Sequence, residues 1–272
     1  MRRNDWSQTT AVITGASSGI GTAIAKKFAR QGIKVLLVAR NTERLNLLAS
    51  EIRANGGKAE VYPSDLSLSQ NRSELAQHIL ADTGAPDILV NNAGIGWFGY
   101  FSRMPWEVAA QLIALDIEAP THLTSLFLPH MLESGKPCRI INIGSITGKM
   151  PEQGIALYAG AKSYLDAFTK SVYREIIRTP VRISIIRPGP VKTHFFDNSE
   201  TYANGGRIPA EKSAIAPERI ADVAWSLVKR PRRFAYVPFF MYFSPFIEYL
   251  FAPVIDRVGP VLLKRRLPTS RP

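Results

Sequence analysis

Apolar and polar positions along this chain switch between two periods. Short runs rich in β-branched residues recur at Thr10–Thr14, Lys34–Arg40, Ala59–Asp65, Asp87–Val90, Arg139–Ile143, Val181–Ile186 and Arg233–Val237. Each predicts a strand, and the continuous apolar character of Lys34–Arg40 predicts one buried on both faces of a parallel sheet. Between the runs, helical spacing takes over. Thr22–Gln31 places Ile24, Ala25 and Phe28 on one face, and Thr42–Asn55 turns Leu45, Leu48 and Ile52 inward before Gly56-Gly57 ends it. Leu66–Asp82, Trp106–Met131, Leu157–Ile176 and Pro217–Lys229 complete the helical set, with Pro120 and Pro129 inside the long second one. Strand and helix alternate, which predicts an α/β fold: a Rossmann-type, doubly wound parallel sheet in three α/β/α layers with right-handed crossovers. Ligands of such sheets lie beyond the strand C-termini. Arg40, Asp65, Asn91, Ser145 and Pro188 all fall at or just past those ends.

The length of 272 residues suits one large domain, and 46% hydrophobic residues can fill its core. The expected division is a nucleotide-binding and catalytic domain over 1–233 and a C-terminal extension over 234–272. The single cysteine, Cys138, cannot form an internal disulfide, which fits a reducing compartment. The first residues, Met1-Arg-Arg-Asn-Asp-Trp6, carry no apolar h-region, so a cytoplasmic location is expected. The net charge of +12 suits nucleic acid, an anionic membrane surface or an anionic ligand. Neither metal-ligand spacing nor a nucleic-acid motif is present, so neither a metal nor a nucleic-acid partner is expected.

The chemistry starts at Gly15-Ala-Ser-Ser-Gly19-Ile-Gly21, which follows the first strand at once and opens a helix. Strand, glycine turn and helix form the context of a dinucleotide fingerprint. Gly15 permits the tight turn, Gly19 lets the backbone approach a pyrophosphate, and Gly21 lets the helix pack on the strand. Ser17, Ser18 and Ile20 lie in the same turn, and the helix N-terminus offers its N–H groups to phosphate. The second strand ends in Ala39-Arg40, where an NAD enzyme usually carries an acid for the ribose 2′-hydroxyl. A guanidinium there suits a 2′-phosphate, so NADP(H) is the expected cofactor. Asn91-Asn92-Ala93-Gly94 follows the fourth strand with small residues that admit a ligand. Finally, Tyr158 and Lys162 stand four apart on one helix and share a face. A cation near the phenol favours phenolate, and the pair is expected to serve as a general acid/base with a lowered tyrosine pKa.

Taken together these segments resemble the short-chain dehydrogenase/reductase family. The matching residues are Thr14-Gly15-x-x-x-Gly19-x-Gly21, Asn91-Asn92-Ala93-Gly94, Ser145, Tyr158-x-x-x-Lys162 and Pro188-Gly189, in the family's order and spacing. They cover about residues 8 to 230 and match the short branch rather than the larger epimerase and dehydratase branch. The resemblance implies that Tyr158 exchanges a proton with the substrate oxygen and that Lys162 lowers its pKa and bonds the nicotinamide ribose. It implies that Ser145 holds the substrate oxygen and Asn92 supports the cofactor side of the pocket, with Ala93 and Gly94 beside it. Asp65 and Leu66 would lie by the adenine, and Val191 and Thr193, after Pro188-Gly189, by the carboxamide and pyrophosphate. One departure stands out. Where the family has an asparagine that anchors a water in a proton relay from the lysine, this chain reads Leu115-Asp116-Ile117. Asp116 can also anchor a water, and its charge should offset part of the lysine's effect on Tyr158.

The substrate end is less legible. Residues 194–216 are polar, hold Asn204-Gly205-Gly206, and read as a substrate lid. Phe195 and Phe196, with Trp97, Phe98 and Tyr100, suit either an apolar pocket or core packing. Phe234–Ile247 carries no charge over 14 residues and holds seven aromatics, and Lys264-Arg265-Arg266 follows. That pattern is too short to span a bilayer and suits a monotopic surface contact, a dimer contact or a cover over the pocket. The reading is an NADP(H)-dependent oxidoreductase, carbonyl-reductase or hydroxysteroid-dehydrogenase-like, that interconverts an apolar ketone and a secondary alcohol. A homodimer or homotetramer is expected, with peripheral membrane contact left open. The alternative is a silent nucleotide-binding sensor or membrane-surface scaffold with the same fold.

Overall fold

The computed structural model describes residues 6–193, 195, 199–207 and 214–266. Seven parallel strands form one sheet in the order β3-β2-β1-β4-β5-β6-β7. They are β1 (Thr10–Thr14), β2 (Lys34–Ala39), β3 (Lys58–Pro63), β4 (Ile88–Asn91), β5 (Arg139–Ile143), β6 (Arg182–Pro188) and β7 (Phe234–Val237). The order reverses between β1 and β4, which opens a crevice at the C-terminal edge where a ligand can enter. The expected doubly wound sheet is therefore present. Strand β7 reaches four residues into the segment assigned above to the extension, so the sheet ends at Val237.

Helices cover both faces. On one side α1 (Gly19–Ala29), α2 (Thr42–Ala54) and α7 (Pro217–Lys229) pack through Ile24, Phe28, Leu45 and Val228 onto Ile13, Val35 and Leu37. On the other, α3 (Ser69–Thr83), α5 (Ala119–Glu133) and α6 (Ala156–Glu175) pack through Ile79, Phe127 and Ala161 onto Leu36, Leu89 and Ile140. Strands buried on both faces read as unbroken apolar runs for this reason. A buried chain of amides and hydroxyls also crosses the second layer. Asn91 Nδ2 donates to Asn142 Oδ1 at 2.9 Å and to Thr124 Oγ1 at 3.3 Å, and Asn142 Nδ2 donates to Thr169 Oγ1 at 2.8 Å. Asn91 thus faces the interior and ties β4 and β5 to α5 and α6.

Three boundaries differ from those read in the sequence. Helix α1 starts at Gly19, because Ser18 is extended and hands over directly to helical geometry. The expected helix over Trp106–Met131 is divided: α4 (Trp106–Ile113) ends in a π-helical turn, Ala114–Glu118, before α5 begins. Such a turn widens the backbone by a residue and re-aims one side chain. Here that side chain is Asp116. Strand β6 continues through Arg187 and Pro188, which pair with Tyr236 and Val237 of β7. The expected turn begins only at Gly189. After β7, a 3-10 turn (Phe239–Phe243) leads into α8 (Ser244–Arg266).

Candidate active site

A cavity of about 440 Å³ occupies the crevice above β1 and β4. Gly15, Ser17, Ser18, Gly19, Ile20, Arg40, Asp65, Leu66, Asn92, Ala93 and Gly94 line one part of it. Asp116, Ser145, Tyr158, Lys162, Pro188, Gly189, Val191 and Thr193 line the rest. Of the sequence-predicted site residues, only Gly21 lies behind the wall, where it packs the turn on itself. Gly15 has φ +64°, and a Cβ on Gly21 would stand 2.2 Å from the Gly15 carbonyl oxygen. Asn92 Nδ2 donates to the carbonyls of Thr14 at 2.9 Å and Gly15 at 3.2 Å, which clamps the glycine turn to the end of β4. At the helix start the Ser18 side chain makes no capping bond. The buried Ser64 hydroxyl, at the far end of the same cavity, has no hydrogen-bond partner among the described residues. A cradle of this shape, with a helix N-terminus at one point and an unpaired hydroxyl at another, fits a dinucleotide.

At the other end, α6 delivers Tyr158 and Lys162 on one face, and the ammonium lies 5.4 Å from the centre of the phenol ring. Lys162 Nζ donates to the Ile143 carbonyl at 3.2 Å and stands 2.9 Å from Asp116 Oδ1. Both side chains are buried. The attraction between them is coulombic first, with a side-chain hydrogen bond added to it. The other carboxylate oxygen, Oδ2, accepts from the Ile95 N–H at 2.9 Å. Gly94 backs onto the same carboxylate, where a Cβ would come within 2.5 Å of Oδ1. Arg72 braces the turn that carries Asp116: it is buried and donates to the carbonyls of Leu66 and Ala114 and to Glu118 Oε2. Ser145, just past β5, accepts from the Thr147 N–H at 3.2 Å and the Thr147 hydroxyl at 2.9 Å, which leaves its own proton for another acceptor.

Electrostatics in this corner correct one expectation. Burial pushes the Tyr158 phenol above its ordinary pKa; Lys162 pulls it back, Asp116 pushes it up again, and the Ser145 hydroxyl lowers it. The net direction is up, not down as the tyrosine–lysine spacing alone suggests, because desolvating a phenolate costs more than one partly neutralised cation returns. Burial pulls the Lys162 ammonium down, but Asp116 and Tyr158 outweigh it and hold it raised and charged. The charge of Asp116, in direct contact with the ammonium, therefore offsets part of the lysine's effect on the phenol. Asp116→Asn should lower the Tyr158 pKa, because an anion that disfavours phenolate is gone. The alkaline-rising limb of alcohol oxidation should then move to lower pH, and an unmoved limb in a stopped-time pH profile would contradict this charge arrangement.

Comparison with known proteins places the chain in a family. The model of the short chain dehydrogenase family matches residues 9–203, well over half of the chain. The chain belongs to the short-chain dehydrogenase family. A fatty acyl-CoA reductase of Acinetobacter baylyi is 34% identical to this dehydrogenase over 228 residues, covering 83% of this chain and 75% of the relative. A metagenomic short-chain oxidoreductase solved with NADP is 36% identical, with a TM-score of 0.74 over 86% of this chain and 98% of that one. The bulky-bulky ketone specific alcohol dehydrogenase of Comamonas testosteroni is 28% identical, with a TM-score of 0.73 over 85% and 86% of the two chains. The dehydrogenase is accordingly an NAD(P)-dependent oxidoreductase by family.

Several cavity residues of this dehydrogenase escaped the sequence reading. Arg44 lies on the first turn of α2, one helical turn past the Asn41 cap, and lines the cavity beside Arg40. Its place in the first turn of the helix that follows β2 was the available signal. Ile95, Leu115 and Tyr202 also line the cavity, and nothing local marks them. Of the segment read as a lid, residues 199–207 and 214–216 are described, with Phe195 before them; His194 and Phe196 lie outside the described residues. That segment is tied down by Gly206 N–H to the Phe98 carbonyl at 2.7 Å and by Trp97 Nε1 to the Ala203 carbonyl at 3.2 Å. Phe195 packs on Tyr158, ring centres 5.4 Å apart, and Trp97 and Phe98 are buried. Among the described residues there is no cluster of three metal-ligating side chains.

Proposed function

We propose that the protein is an NADP(H)-dependent oxidoreductase that interconverts an apolar ketone and a secondary alcohol, with Tyr158 as the general acid/base. One observation carries the reading: a single cavity holds the glycine turn and two arginines at one end and Ser145, Tyr158 and Lys162 at the other. A bound nicotinamide supplies or accepts the hydride. The chain's own residues then handle binding and the proton. The turn from Gly15 to Gly21, with Ser17, Ser18 and Thr193, cradles the pyrophosphate; Asp65 and Leu66 flank the adenine; Pro188, Gly189 and Val191 shape the nicotinamide end. Ser145 and Tyr158 both hydrogen-bond the substrate oxygen, and Tyr158 gives its proton to that oxygen in reduction. A phenol whose pKa is held up stays protonated near neutrality, which suits an acid and hence the reductive direction. Lys162, held charged by Asp116, stabilises the phenolate left behind.

The apolar substrate class rests on Phe195, Ile155 and Ile146 in the cavity wall, and the names of the acyl-CoA and bulky-ketone relatives are consistent with it. NADPH oxidation against a panel of ketones tests the activity, and its absence from every ketone would remove the proposal.

Cofactor choice is assigned to Arg40 and Arg44. Both are exposed at the cavity edge, and no described acid pairs with either. A 2′-phosphate would give them their counter-charge. NADPH should exceed NADH in kcat/KM by at least about tenfold, roughly 1.4 kcal/mol. Ala39→Asp with Arg40→Leu should move the preference toward NADH; equal use of the two cofactors by the parent protein would contradict the assignment.

A further inference from the structure

A helix on the surface of a water-soluble protein turns its apolar stripe inward and its charges out. Helix α8 does the reverse on its outer side. Its buried or half-buried positions are Ser244, Pro245, Glu248, Ala252, Ile255, Gly259 and Leu263, and all but Pro245 are spaced as one helical face. A stripe one residue earlier in each turn, about 100° round the helix, carries Ile247, Phe251, Val254, Val258 and Leu262, all exposed and again at helical spacing. Leu250, and Phe239 and Phe240 in the preceding turn, widen this exposed apolar surface, and Tyr249 beside them is 84% exposed. Isolated exposed apolar residues are ordinary, but a contiguous surface of this extent marks a contact.

The inner face sits against the mouth of the cavity. Leu263 packs with Phe98 and Ile155, and Tyr158 adjoins that cluster. Gly259 lies so close to Gln153 that a Cβ would overlap its amide. On the other flank Met241 touches the space beside Gly189, which lines the cavity. The extension thus rims the substrate end from two sides while presenting apolar side chains outward. No helix among the described residues is long and apolar enough to cross a membrane. Charge selects the occupant. Residues 239–266 contain four basic side chains (Arg257, Lys264, Arg265, Arg266) against two acidic ones (Glu248, Asp256), in a chain of net charge +12. A second copy of so basic a chain would meet like charge at this face, whereas an anionic bilayer meets opposite charge and accepts the apolar stripe.

We infer that the outer face of α8 docks in the interface of an anionic lipid bilayer, and that the ketone enters the cavity from that bilayer past the rim formed by Met241 and Leu263. The docking stands on the exposed face; the entry route rests on the function proposed above. Its substrate class is accordingly a lipid-dissolved carbonyl compound.

The test compares the parent chain with a Leu250→Ser, Phe251→Ser, Val254→Ser variant, whose three positions are exposed and outside the cavity. Vesicles of phosphatidylcholine with phosphatidylglycerol are the probe. At low salt the parent should co-sediment at least about tenfold more strongly than the variant, since binding scales with the apolar area inserted and the anionic attraction. Both proteins should reduce a water-soluble ketone at the same rate, while reduction of a ketone dissolved in the vesicles should fall in the variant. Equal co-sedimentation of the two proteins overturns the docking. So does a variant that ignores vesicles like its parent but loses a subunit by light scattering, which would assign the face to a second copy. Vesicle binding lost with an unchanged rate on the vesicle-dissolved ketone overturns the entry route. If neither protein reduces any ketone yet the co-sedimentation differs, the docking stands and the proposed activity is what fails.

Discussion

Replacing Tyr158 by phenylalanine is expected to lower kcat by about 10² or more while leaving NADPH binding near that of the parent. The substitution keeps the ring, so its packing on Phe195 and its place above Lys162 survive. Only the hydroxyl that exchanges the proton is lost. Binding should hold because the glycine turn, Arg40 and Arg44 lie at the other end of the cavity, away from the phenol. Steady-state turnover on a reduced ketone and NADPH fluorescence titration separate the two quantities. A Tyr158→Phe enzyme that keeps most of its activity would mean that another group supplies the proton.

Lys162→Met should harm stability as well as turnover. The methionine fills much of the volume of the lysine stem but leaves Asp116 fully buried without its cation. Removing one partner of a buried pair costs about 3–5 kcal/mol; burial already holds the Asp116 carboxyl above its ordinary pKa, and without the lysine it must either keep its charge in a poor solvent or take up a proton. The loss should show as a lower midpoint in urea. Adding Asp116→Asn to the same chain should recover most of that loss, since an amide carbonyl still accepts from Ile95 and no charge is left unpaired. Turnover should not recover, because nothing then stabilises the phenolate. A Lys162→Met protein as stable as its parent would show that Asp116 is not held as an anion by the lysine.

These two tests probe different sources of information. The Tyr158–Lys162 pair was legible as a spacing, because four residues on a helix share a face wherever the helix sits. The partner of Lys162 was legible only in part. Asp116 stood out as a departure from the family's asparagine, but its distance from the ammonium depends on a π-helical turn that interrupts two helices. Periodicity read that stretch as one long helix, since one extra residue in a turn hardly disturbs an apolar pattern. Arg72, which braces the turn by bonding the Leu66 and Ala114 carbonyls, looked like any charge on an amphipathic helix. Asn91, read at the ligand edge with its neighbours, belongs to the interior, because alternate residues at a strand end face opposite ways.

By itself, the sequence determined the alternation of strands and helices that makes a doubly wound sheet, the glycine turn, the arginine after β2 and the tyrosine–lysine face. All of these are local: they follow from β-branched runs, from residues that tolerate tight turns and from helical spacing. Only the tertiary structure decided the sign of the Tyr158 pKa, the direct Asp116–Lys162 contact, the presence of Arg44, Ser64 and Tyr202 in the cavity, and the direction in which the apolar stripe of α8 points. Each of these depends on groups far apart in the chain, or on the total removal of water from a charge. Desolvation belongs to the whole set of atoms around a group, and no window of sequence contains that set.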